Sequence, residues 1–167
     1  DKADWYYKSG DDPSWALPVY NHSDWDTVNS FLQIGKFDQS EWRGVAWLRI
    51  VFEIDSSLKG KTVGLRMHHD GASEIYLNGK KVLTFGKIGT NADEEKPYDP
   101  YFFPTIISFD TSSVYTLALR ISNQDAVKHE YLYNKFIGHI GFSINLFDIN
   151  TQSKKILESH YKGFSFD

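Results

Sequence analysis

Four groups of residues have types and spacings that could carry chemistry. His68-His69-Asp70 offers two imidazoles and a carboxylate, the set used for metal ligation or proton transfer. It lies where an alternating apolar run ends. Neighbouring residues on a strand point to opposite faces, so the two histidines do not share one ion. A strand-end histidine bonded to backbone is the simpler reading, and no metal is expected. Asp93-Glu94-Glu95 offers carboxylates of the kind a glycosidase uses as acid and base. That chemistry needs two carboxylates about 5–10 Å apart across a cleft, one of them desolvated. Three consecutive acids in a polar stretch read instead as solvated charge, as do Asp11-Asp12. Ser56-Ser57 and Ser112-Ser113 lack the strand–turn–helix setting of an activated serine. No phosphate-cradling loop or dinucleotide fingerprint occurs. No cofactor is expected, and the chain is read as non-catalytic.

The fourth group is aromatic. The sequence holds 5 Trp, 10 Tyr and 12 Phe, and all five Trp (Trp5, Trp15, Trp25, Trp42, Trp47) precede residue 48. Flat aromatic faces beside a few planar polar groups suit the C–H patches and hydroxyls of a sugar. Candidates are Trp42 with Arg43, and Tyr98, Tyr101, Phe102, Tyr131 and Tyr133 in irregular stretches. Large aromatics also fill cores, and Trp15, Trp25 and Trp47 are read that way. Arg49 and Arg120 fall mid-strand opposite the apolar face; either lines a concave sheet surface or is an ordinary outward charge. The expected ligand-binding set is Trp42, Arg43, His69, Asp70, Tyr98, Tyr101, Arg120 and Tyr131.

The elements that must position these residues are mostly strands. In Val45–Ile54, Ala46, Leu48, Ile50, Phe52 and Ile54 alternate with Trp47, Arg49, Val51 and Glu53, the period of a strand with one buried face. The same period places Val63, Leu65 and Met67 inward in Thr62–His68, and Leu117, Leu119 and Ile121 inward in Tyr115–Ser122. In Ile140–Ile149, Phe142, Ile144 and Leu146 share a side before Phe147 and Ile149 switch phase, which predicts a bulge. Ser73–Gly86 reads as a hairpin turned at Asn78-Gly79, a pair suited to positive φ at both positions. The polar, twice Pro-broken stretch between Gly86 and Phe103 is a long loop, and such loops are commonly functional. Gln124–Gly138 is irregular. A short C-terminal helix is expected over Thr151–Lys162. Many short strands with turns between them predict an all-β sandwich or barrel.

Composition excludes several classes. The chain has 167 residues and a net charge of −4, one domain's worth of chain without the basic face of a nucleic-acid binder. It has no cysteine, so disulfides and thiolate sites are absent. No run approaches the roughly 18 apolar residues of a membrane span.

Several segments together resemble the sugar-binding domain of family-two glycoside hydrolases. Asp11-Asp-Pro-Ser-Trp-Ala followed by His22-Ser-Asp-Trp-Asp is similar to its D-x-x-W opening. Trp42-Arg-Gly-Val-Ala-Trp-Leu-Arg-Ile-Val-Phe-Glu-Ile is similar to its Gly-x-x-Trp-Tyr-Arg-x-x-Phe strand, with Leu48 in place of Tyr. His69-Asp-Gly-Ala-Ser-Glu-Ile-Tyr-Leu-Asn-Gly-Lys-Lys-Val resembles its Tyr-x-Asn-Gly hairpin, and Leu119-Arg-Ile-Ser-Asn its late strand. The resemblance spans about Asp11 to Asn123 and implies a galactose-binding-like jelly roll over about residues 11–150, with 151–167 as a tail. The family's hydrolase chemistry lies in a separate barrel. With Tyr133-Asn-Lys-Phe-Ile-Gly-His-Ile-Gly-Phe, a closing strand and a polar tail, the arrangement also resembles the extracytoplasmic domains of bacterial membrane signalling proteins. It implies a periplasmic or extracellular sensor tethered to the membrane through a downstream segment, with a small carbohydrate as ligand and a homodimer as one partner arrangement. An accessory domain of a family-two hydrolase is the competing expectation, and a structural dimerisation module a third.

Overall fold

The computed structural model of the chain describes residues 4–29, 42–128 and 142–149. Tyr131, Tyr133, the stretch 129–141 and the expected C-terminal helix lie outside the described residues. Among the described residues, nine strands form two antiparallel sheets. The larger contains β1 (Asp4–Ser9), β2 (Asp26–Asn29), β3 (Val45–Glu53), β5 (Ala72–Leu77), β6 (Lys80–Phe85) and β8 (Val114–Ser122), in the order β2-β1-β3-β8-β5-β6. The smaller has the order β7-β4-β9, with β4 Thr62–His69, β7 Thr105–Ser108 and β9 Phe142–Phe147. A four-residue helix, α1 (Asp125–Lys128), follows β8 inside a stretch the sequence reads as irregular. The expected all-β sandwich is present.

The alternation read from the sequence decides which side chains meet between the sheets. Leu48, Leu65, Met67, Ile75, Leu119, Ile121 and Phe142 share one buried cluster. Burying each such side chain contributes about 1.5–3 kcal/mol. β3 departs from the one-face expectation. Residues 46–49 are buried on both sides, and Trp47 and Arg49 are both 0% exposed. The cause is the segment between β1 and β2. It leaves β1 at Gly10, crosses the outer face of the large sheet through a 3-10 turn at Pro13–Ala16, and returns to the sheet edge at β2. Trp15, Ala16, Tyr20 and Trp25 pack there on Trp47, Tyr76 and Ala118. The packing role expected for Trp15, Trp25 and Trp47 is what the structure displays.

The hairpin turn forms as expected, with φ of +50° at Asn78 and +82° at Gly79. Asn78 also ties the turn to β8: its amide donates to the Thr116 carbonyl at 2.9 Å, and its Oδ1 accepts from the Thr116 amide at 2.9 Å. The bulge expected in β9 is elsewhere. The β4–β9 ladder runs unbroken from His69↔Phe142 to Gly64↔Phe147, while the pairing of β5 with β6 shifts at Ile75/Tyr76. Gly64 explains the difference. A Cβ there would come within 2.3 Å of the Phe147 ring, so the missing side chain lets Phe147 stay in register.

Candidate functional site

One end of the sandwich gathers most of the expected site. β3 begins there, β4 and β8 end there, and β5 starts there, because Val45 and Ala72 both pair with Ser122. The loop between β6 and β7 covers this end. Its anchor is Glu95, which the sequence reading left solvated with Asp93 and Glu94. Asp93 and Glu94 are exposed, but Glu95 is 6% exposed. Its Oε1 accepts from the Gln124 amide at 3.0 Å and its Oε2 from the Ser122 hydroxyl. Gln124 Nε2 donates in turn to the Gly89 carbonyl at 2.9 Å. Paired backbone bonds between Lys87 and Lys96 (2.8 and 2.9 Å) and a bond from the Tyr98 amide to the Gly71 carbonyl (2.8 Å) complete the attachment. A buried carboxylate is stable only when donors surround it, and the end of β8 supplies them.

Beyond this anchor the loop displays rings. Tyr98, Tyr101, Phe102 and Phe103 are exposed, the last two by 80% and 70%. Tyr98 stacks on Phe85 (centroids 6.4 Å, 23°), and Tyr101 meets Phe102 edge to face (4.9 Å, 85°). Asp99 binds back to β4 through His68 Nδ1 at 2.7 Å, and the His68 ring lies 5.5 Å from Tyr101. Asp99 Oδ1 accepts from the Tyr101 amide at 3.1 Å and closes the turn. The result is a fixed aromatic ridge with one imidazole–carboxylate pair at its base.

The expected site residues divide by placement. Asp70, Tyr98 and Tyr101 are exposed at this end, and Arg43 is exposed just before β3. Trp42 is a correction: it is 6% exposed, belongs to the core cluster and donates from Nε1 to the Asn123 carbonyl at 2.9 Å. Its ring seals the sandwich end, so its faces are not offered to solvent. His69 is likewise inside, 2% exposed, with Nε2 3.1 Å from Ser73 Oγ and Nδ1 3.2 Å from the Asp70 carbonyl. Burial pushes its pKa below the ordinary imidazole value. The strand-end, backbone-bonded histidine of the sequence reading is this one. Arg120 is not part of this end. It lies on the outer face of the large sheet, where Nε and Nη2 donate to Asp11 at 2.7 and 2.5 Å and Nη1 to Glu74 at 3.0 Å. Phe103, Asp99 and Glu95 were missed. The run Tyr98-Asp-Pro-Tyr-Phe-Phe103 could have revealed the first two by its density of rings; nothing in sequence separates Glu95 from its acidic neighbours.

Chemically the arrangement suits recognition. Glu95 has both oxygens committed, Asp99 holds His68, and Glu74 accepts from Tyr76, Lys81 and Arg120. Among the described residues no three His, Cys, Asp or Glu side chains form a metal cluster. No helix among them is long and apolar enough to cross a membrane.

No protein-family model and no curated protein matches the chain. Solved structures match it in fold. A β-glucuronidase from Bacteroides uniformis aligns at 18% identity and a TM-score of 0.55, and a calcium-binding mutant of Bacteroides uniformis β-glucuronidase 2 at 21% and 0.53. Each alignment covers 87% of this chain and 17% of the other. A β-glucuronidase of glycoside hydrolase family 2 aligns at 17% identity and a TM-score of 0.52, over 88% of this chain and 17% of its own. The chain thus spans about a sixth of the enzymes it matches. What it shares with that part of them is the two-sheet β-sandwich.

Proposed function

We propose that this chain is a non-catalytic ligand-binding domain, that its ligand is a carbohydrate, and that the ridge Tyr98–Phe103 is the surface that holds it. The observation that carries the reading is four exposed rings on a loop pinned at Glu95 and Tyr98. Exposed aromatics on a fixed loop offer stacking area without an ordering cost at binding. The His68–Asp99 pair adds planar donors and acceptors for hydroxyls. Calorimetry against a broad glycan panel tests it. At least one glycan is expected to bind, and Tyr101→Ala to weaken it about tenfold while leaving the melting temperature within a few degrees. A flat titration across the panel refutes the reading.

We place this domain outside the cytoplasm, as the sensing part of a membrane-anchored signalling protein. The support is the resemblance of the sequence that follows the matched segments, Tyr133-Asn-Lys-Phe-Ile-Gly-His-Ile-Gly-Phe with a closing strand and a polar tail, to the extracytoplasmic domains of such proteins. Sequencing the native gene past Asp167 decides it: membrane helices and an output module are expected. A second reading, an accessory domain of a family-two glycoside hydrolase, is favoured by the matched structures being β-glucuronidases. A gene that continues into a glycosidase barrel establishes that reading instead.

A further inference from the structure

The other end of the sandwich contains a feature unrelated to the aromatic ridge. β6 and β7 are the terminal strands of their two sheets on the same side of the molecule. Between them lies a cleft of about 460 Å³. Its floor is apolar, made by Leu77, Ile107 and Tyr115, all under 9% exposed, with Val82 on the wall. Two opposite charges stand over that floor. From the large sheet comes Lys80. At the bulge, Ile75 pairs with Leu83 and Tyr76 with Lys81, so Val82 is the extra residue and Lys80 falls opposite Leu77. Directly paired residues share a face, so the two-residue turn at Asn78-Gly79 puts Lys80 on the side of Leu77, where it stands exposed at the cleft rim, while Lys81 beside it is engaged in an ion pair with Glu74 at 2.8 Å. Lys80 makes no hydrogen bond or ion pair among the described residues. From the small sheet's side comes Asp110. Its Oδ1 accepts from the Ser112 amide at 2.7 Å and the Tyr115 hydroxyl at 2.5 Å, and the Ser112 side chain also bonds the carboxylate, which stands exposed at the cleft rim. Those bonds hold its pKa down at about 2, so the carboxylate is anionic throughout the ordinary pH range.

We propose that this cleft is a second binding site and that it takes a small zwitterion: an apolar body with a carboxylate for Lys80 and an ammonium for Asp110. Neither charge has a partner across the cleft, and one ligand bearing both complements satisfies the two together. A single-charged ligand leaves one of them facing its own sign or an apolar group. An added β-strand is not the occupant, because lysines on the edge and a bulge are the devices that keep an edge strand from pairing. The site does not depend on the carbohydrate reading.

The test uses isotope-labelled protein and 6-aminohexanoate as the probe, followed by amide chemical shifts. Shifts are expected in residues 77–82 and 106–110. Affinity should exceed that for hexanoate or hexylamine by about two- to fivefold, the order of one exposed charge contact. Lys80→Met should bring 6-aminohexanoate down to the level of hexylamine. Asp110→Asn keeps an acceptor for Tyr115 and Ser112 and should bring it down to the level of hexanoate. Melting curves establish that both variants fold. Absence of shifts in these residues overturns the proposal, as does equal affinity for hexanoate, hexylamine or glucose. Concentration-dependent dimerisation through this edge would also overturn it.

Discussion

Replacing Glu95 by alanine separates the attachment of the aromatic ridge from the stability of the sandwich beneath it. Glu95 accepts two hydrogen bonds, from the Ser122 hydroxyl and the Gln124 amide, and is almost wholly buried. Bonds to a charged acceptor are worth about 1.5–3 kcal/mol each, so two give about 3–6 kcal/mol. Holding a carboxylate out of water offsets roughly half of that. About 2–3 kcal/mol then remains to be lost in Glu95→Ala, which also leaves two buried donors without an acceptor. That loss belongs to the loop, because Glu95 supplies both of its bonds to the end of β8, and the remaining ties are the Lys87–Lys96 pair, the Tyr98 amide on Gly71, the Gln124 side chain on Gly89 and Asp99 on His68. Hydrogen exchange measures it directly. The amides of Lys96 and Tyr98 should lose about 30- to 150-fold in protection, while that of Leu119 in β8 changes little. Glu95→Gln keeps one acceptor and should lose about 1 kcal/mol. Unchanged protection at Lys96 and Tyr98 in Glu95→Ala would refute the assignment of Glu95 as the anchor. Equal loss at Lys96, Tyr98 and Leu119 would refute it differently, by making Glu95 a support of the whole sandwich.

Two other predictions follow from burial. Trp42→Ala should cost about 3–5 kcal/mol in urea unfolding, because it empties a core position and leaves the Asn123 carbonyl without its donor; a loss under about 1 kcal/mol would return Trp42 to the surface. The His69 ring is kept neutral by burial, with a pKa below the 6.5 of a free histidine. The unfolded chain therefore takes up this proton first as pH falls. The stability contributed by neutral His69 is complete above about pH 6.5 and declines as pH drops through that value toward the lower folded pKa. Ring resonances of His69 should titrate below 6.5, and a titration at or above it would contradict the placement.

The strands were legible because their information is local. Val45–Glu53, Thr62–His69 and Val114–Ser122 each bury one alternating set of side chains, and period-two spacing needs no partner to be seen. The Asn78-Gly79 turn was legible for the same reason, since positive φ is a property of the two residues themselves. What stayed hidden depends on long-range contacts. Trp42 and Trp47 sit five residues apart in similar surroundings, yet one seals the sandwich end and the other lies under a segment that runs from Asp11, 36 positions earlier, to Trp25. Glu95 becomes a buried anchor only because Ser122 and Gln124, 27 and 29 positions later, end β8 beside it. The register shift between β5 and β6 adds one residue, Val82, which the run Lys-Lys-Val-Leu does not disclose.

The segment from Gly10 to Trp25 covers the outer face of the large sheet, so the surfaces proposed for ligands lie at the end and the edge of the sandwich. Left bare, the outer face of the large sheet would present Trp47, Arg49 and Arg120 as a broad platform, the arrangement that mid-strand arginines suggest. The segment uses all three. Trp47 Nε1 donates to Asp11 at 3.2 Å. Arg49 donates to the carbonyls of Trp15 and Leu17, and its guanidinium lies 5.8 Å from the Tyr20 ring and 6.0 Å from the Trp25 ring. Arg120 is held between Asp11 and Glu74. A buried guanidinium needs acceptors and polarisable surroundings to offset its lost hydration, and the segment supplies carbonyls and rings. The early tryptophans at 15, 25 and 47 are therefore the means by which the chain closes its own sheet face. The rings proposed to meet a ligand are instead the exposed, tryptophan-free ones from Tyr98 to Phe103, on the loop that Glu95 fastens.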